Sequence, residues 1–140
     1  MDLFKMAQEV VAVVQEECSD FEELVPASED GAVWGFVIDE DTSGFVFLDA
    51  NLGTFDVATV TISLSLGTLE DITKDDLLEL LSVNGELLGA SLTITPPFGD
   101  EQEEFLMLQT KFLATEFSKT MFVNSLNSLV AQISLFFAAE

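Results

Sequence analysis

The chain has 140 residues and a mass of 15.3 kDa, with 26 Asp and Glu against four Lys, so its formal charge is −22. Yet 49% of the residues are apolar, Phe occurs 13 times and the mean hydropathy is +0.40, unlike an acidic disordered tail, whose low hydrophobicity keeps it unfolded. A single folded domain over residues 1–140 is expected. The shortage of cations argues against gripping nucleic-acid phosphates, and the lack of His and Tyr with only one Cys removes the usual catalytic dyads and metal clusters.

Leu3, Met6, Ala7, Val10, Val13 and Val14 recur at spacings of three and four, with Lys5, Gln8, Glu9, Gln15 and Glu16 opposite, so the opening segment reads as an amphipathic helix that Asp2 caps. Residues 18–31 are rich in acids and hold Pro26 and Gly31; they read as a solvated connector, long for a compact domain. From Ala32 onward the pattern is β. The apolar run AVWGFVI suits a strand covered on both faces, and the turn-rich Asp39 to Gly44 joins it to FVFLD in a hairpin. Val60, Ile62, Leu64 and Leu66 then alternate with Thr61, Ser63 and Ser65, as in a strand with one wet face. The parity of Phe55 and Val57 does not match, which a bulge near Ala58 or a late strand start explains.

Thr73 and Asp76 form a capping-box-like start to a short leucine-rich helix, and Asn84-Gly85 is its natural stop. Ser91 to Thr95 alternates again, Pro96-Pro97 breaks it, and the acidic turn from Asp100 to Glu104 leads into FLMLQTKFL as a second hairpin. Thr115 or Ser118 caps a long final helix with Phe122, Leu126, Leu129, Ile133, Phe136 and Phe137 along one stripe, widened by Val123 and Val130. The N-terminus lacks the basic flank and cleavage site of a secretory signal, and no run of 18 apolar residues offers a membrane span. The expected address is the cytoplasm, with no membrane partner.

Asp39, Asp41, Ser43 and Gly44 reproduce the first half of a calcium-binding loop, but Ala50 stands where a bidentate Glu is needed and the flanks read as strands. The expected role is a solvated turn in which Gly44 supplies a positive φ. Paired carboxylates are abundant, yet they lie in turns and caps with no aromatic cleft beside them, so no acid/base site is expected. The glycines never gather into a phosphate cradle, Trp34 reads as core, and Cys18 reads as a small semi-buried apolar residue. No catalytic residue, metal or cofactor is assigned.

Charge distribution is more informative than any motif. Only Glu116 and Glu140 of the acids follow residue 104, and this neutral quarter holds six of the phenylalanines. Opposite the stripe of the last helix lie Asn124, Ser125, Asn127, Ser128, Ala131 and Gln132, polar but uncharged, which suits either a packed second face or a plain soluble surface. In the middle helix Leu77, Leu78, Leu80 and Leu81 span about 160° of the circumference, more than one sheet covers. A second copy across a two-fold axis is the simplest cover, with Leu77, Leu78 and Leu81 as its interface. Leu3, Met6 and Val10 on the first helix are the expected groove for a partner.

The order α-β-β-β-α-β-β-α in a small acidic chain, with the middle helix between two antiparallel hairpin systems, resembles the class I type III secretion chaperones and the related YbjN-like family. The segment from Leu77 to Ile94, LLELLSVNGELLGASLTI, carries it most closely. The resemblance implies an α+β fold with an antiparallel sheet, a homodimer without catalytic activity, and a partner protein held by an unstructured, extended segment. An alternative is a phosphate mimic whose carboxylates occupy a basic nucleic-acid-binding surface of another protein.

Overall fold

Alternating apolar and polar residues force strands to bury one face, and here the first and last helices supply most of the cover. The computed structural model describes residues 3–40, 42–51, 55–68, 72–95 and 104–136. Its elements are α1 (Leu3–Glu17), β1 (Ser19–Val25), β2 (Gly31–Asp39), β3 (Thr42–Asp49), β4 (Thr59–Thr68), α2 (Lys74–Val83), β5 (Ser91–Thr95), β6 (Phe105–Leu113) and α3 (Lys119–Phe136), with short 3-10 turns at Asn84–Glu86 and Ala114–Glu116. The strands form one antiparallel sheet in the order β1-β2-β3-β4-β6-β5.

This is an α+β architecture, but with one strand more than expected. The acidic connector contains β1, paired to β2 through Ser19 with Val37 and Val25 with Val33. Its register slips twice and Asp20 has φ 47°. Asp20, Glu22 and Glu23 are exposed, as suits an edge strand, where charge and irregularity discourage further pairing. An edge strand wet on most sides has no hydrophobic alternation, which is why it reads as a loop.

The register sorts the faces. Ala32, Trp34 and Phe36 on β2 lie level with Leu48, Val46 and Gly44 on β3, then with Val60, Ile62 and Leu64 on β4. This row packs with Val10 and Val14 of α1 and with Phe122, Leu126 and Leu129 of α3 in one core. Phe36 meets Phe122 edge-on at 6.4 Å between ring centroids. Trp34 is core as expected, at 1% exposure, although its Nε1–H has no acceptor. The opposite face carries Phe45 and Phe47 beside the buried Thr61 and Ser63, whose hydroxyls are also without partners.

Three expectations about turns are corrected or refined. The first hairpin is tighter than Asp39 to Gly44, because Asp39 already pairs with Thr42, so Ser43 and Gly44 belong to β3. Gly44 is not in the left-handed region; a Cβ there would run into the Ser63 carbonyl of the adjacent strand, so close approach is what requires glycine. The parity mismatch at Phe55 and Val57 comes from a late start of β4 at Thr59, and the bulge lies farther along, between Ser65 and Gly67 against β6. Asp2, Asp41, residues 96–103 and Phe137 lie outside the described residues, as does the side chain of Phe136.

Candidate functional site

The leucine-rich segment builds its helix from both ends. Thr73 Oγ1 accepts from the Asp76 N–H at 3.1 Å while Asp76 Oδ2 accepts from the Thr73 N–H at 3.3 Å, satisfying two donors that a helix start leaves orphaned. Asp75 and Asp76 complement the positive end of the helix dipole. At the other end Asn84 closes α2 and opens a 3-10 turn, and its side chain reaches β5, where Oδ1 accepts the Leu92 N–H at 2.6 Å.

One sheet flank cannot cover α2. Leu77 and Leu80 are half-buried, whereas Leu78 is 56% and Leu81 53% exposed. Leu77, Leu80 and Leu81 line an apolar cleft of about 180 Å³ whose far wall is Leu92, Ile94 and Leu106. Of the three leucines expected at a dimer interface, Leu77 and Leu81 line this cleft, whereas Leu78 is exposed outside its lining. Neighbouring β5 is an edge strand without a charged residue and without a register shift, the reverse of β1.

The first-helix group divides differently. Val10 is wholly buried in the core and lines no groove, since its face of α1 packs on the sheet; Leu3 and Met6 are half-buried against the same core. At the far end of α1, Glu16 and Glu17 receive Lys119 from the start of α3 at 2.7 and 3.4 Å. Both carboxylates hold the Lys119 ammonium above its ordinary pKa, Glu16 more strongly. Cys18 follows directly, and partial burial, aided by the charge of Glu17, pushes its thiol up to about 11.

On the uncharged face of α3 one residue, Gln132, is packed within the chain. Gln132 is 4% exposed: Oε1 accepts the Leu88 N–H at 2.8 Å, and Nε2 donates to the Leu88 carbonyl at 3.0 Å and to Ser128 Oγ at 3.1 Å. This grip holds residues 87–90 against α3 and leaves the Leu88 side chain 77% exposed. Beside it Thr110, Asn124, Ser125 and Ser128, with Leu88 and Leu129, line a cleft of about 240 Å³. Asn124, Asn127, Ser128 and Ala131 remain exposed. Sequence reasoning marked the absence of charge on this face but not that Gln132 was its working residue.

Among the described residues no three His, Cys, Asp or Glu side chains are placed to hold a metal, and no helix is long and apolar enough to cross a membrane. No family model and no curated protein matches the chain.

Proposed function

We propose that the chain is a cytoplasmic, non-enzymatic protein-binding module of the secretion-chaperone or YbjN-like type. Two copies meet through Leu77, Leu78 and Leu81 of α2, and the pair holds an extended segment of a partner protein. The observation that carries the reading is the exposure of Leu78 and Leu81, both more than half exposed, on a helix whose Leu77, Leu80 and Leu81 line an apolar cleft, in a chain of charge −22. Burying leucine between two such bodies contributes about 25 cal/mol per Å² against their electrostatic repulsion. Light scattering after size exclusion at about physiological salt is expected to give twice 15.3 kDa. Leu78→Asp combined with Leu81→Asp, exposed positions that do not disturb the core, is expected to give the monomer mass. A wild-type monomer at tens of micromolar sinks the reading.

A second reading gains support from β1, which gathers Asp20, Glu22 and Glu23 on one exposed edge strand: a phosphate mimic that occupies a basic surface. Affinity for a partner recovered from the native host separates the two. A contact of surface charges weakens by orders of magnitude between low and about half-molar salt, whereas a segment held by apolar side chains keeps its affinity.

A further inference from the structure

The two edges of the sheet are finished differently. At β1, three exposed carboxylates, two register slips and the φ of 47° at Asp20 spoil the ladder for any incoming strand. At β5 nothing of that kind is present: Ser91, Leu92, Thr93, Ile94 and Thr95 are uncharged and pair with β6 without a slip. In an antiparallel ladder the N–H and C=O of one residue point to the same side, and alternate residues face opposite sides. Since the Leu92 N–H goes to Asn84 Oδ1, Leu92 and Ile94 present their backbone groups to the outer edge, while Ser91, Thr93 and Thr95 face β6.

That edge is self-complementary. A two-fold axis at Thr93 sets Leu92 of one copy opposite Ile94 of another, so that the N–H and C=O of each pair with those of the other, apolar side chains meet on the helix face and threonines on the opposite one. We propose that the Asn84 side chain closes this edge: by holding the Leu92 N–H it removes the donor on which such a ladder starts, once in each copy, and so keeps β5 from pairing with β5 of a second chain. The device is separate from the α2 pairing proposed above, which leaves the backbone of β5 untouched.

Amide exchange followed by NMR at low concentration, together with light scattering over a concentration series, tests it on the wild type, Asn84→Ala, Asn84→Asp and the double variant Asn84→Ala with Ile94→Lys. In the wild type the Leu92 amide is expected to be protected and the Ile94 amide to exchange fast. Asn84→Ala is expected to lose about tenfold in Leu92 protection, the worth of one such hydrogen bond, and to gain mass with concentration beyond the wild type. Asn84→Asp, whose carboxylate still accepts, keeps both wild-type properties. Ile94→Lys, a charge on the edge, returns the Ala variant to the wild-type mass. Wild-type Leu92 and Ile94 amides exchanging alike would overturn the proposal, whether or not Asn84→Ala folds. So would lost protection without gain in mass, or a gain that Ile94→Lys leaves in place, since either assigns Asn84 only to ending α2.

Discussion

Gln132 shows how much one amide does when both its ends are used. Its carbonyl and its NH₂ grip the two backbone groups of a residue 44 positions away, so truncation strands a donor and an acceptor in a part-buried place. Gln132→Ala is expected to cost about 2 to 3 kcal/mol in urea unfolding, and a loss below half of that would mean that water replaces the amide without penalty. Cys18 illustrates the opposite case, a polar group disarmed by its surroundings. With its thiol pushed up to about 11, the thiolate is scarce at pH 8, and alkylation is expected to be slow there and to accelerate up to pH 11 rather than level off near 9. The sign for stability follows: the folded state holds the proton more tightly, so the contribution linked to this thiol is full below the ordinary value of 9.0 and is lost as pH rises through about 11. A rate plateau near pH 9 would contradict the burial.

Elements are positioned by what their neighbours leave room for. Gly44→Ala drives a methyl group into the Ser63 carbonyl at the β3–β4 contact, whereas Gly85 has open space at its Cβ position and no positive φ. Thermal unfolding is therefore expected to show Gly44→Ala destabilised by about 2 kcal/mol or more and Gly85→Ala neutral or stabilised by up to about 1 kcal/mol; equal effects would refute the packing argument. The elements legible in the sequence are those whose burial is one-sided. Val10 and Val14, the alternation from Val60 to Leu66 and the stripe of Phe122, Leu126 and Leu129 each carry a period that survives without tertiary knowledge, and Thr73 with Asp76 is a cap written in four consecutive residues. β1 was not legible because Phe21, Leu24 and Val25 are only half-buried between acids and bulges. Of the candidate site, the excess of leucine on α2 could be read directly. The reach of Asn84 to Leu92 and of Gln132 to Leu88 could not, because both join side chains to backbone groups that only the folded chain brings near, and Val10 misled because periodicity identifies a buried face without saying what buries it.

For the whole molecule, charge is the dominant unbalanced quantity. Lys119 with Glu16 and Glu17 is an exposed cluster, worth little by itself, and the −22 is what remains after all four Lys are counted. Self-repulsion in the compact state relaxes when salt shortens the Debye length from about 30 Å at 10 mM to about 8 Å at 150 mM. The urea midpoint is expected to rise with sodium chloride over that range, and a flat or falling midpoint would place the carboxylates too far apart to matter. The same repulsion disfavours chance encounters between copies and leaves the exposed leucines of α2 and the uncharged β5 edge as the places where association is decided.

The sheet order also dictates a sequence of events in time. β1 to β4 follow one another as neighbours, so each pairing needs only a short loop to close, whereas β6 joins β4 by aligning residues as distant as Thr59 and Leu113. Loop-closure entropy makes that the slow step. In a chain synthesised from its N-terminus, all four strands of the meander precede β6, and the inner edge of β4, buried from Thr59 to Leu64 in the finished protein, has no partner until β6 is made. The arrival of β6 covers that edge, carries α3, which holds no acid, onto the core, and turns a local hairpin stack into a cooperative domain.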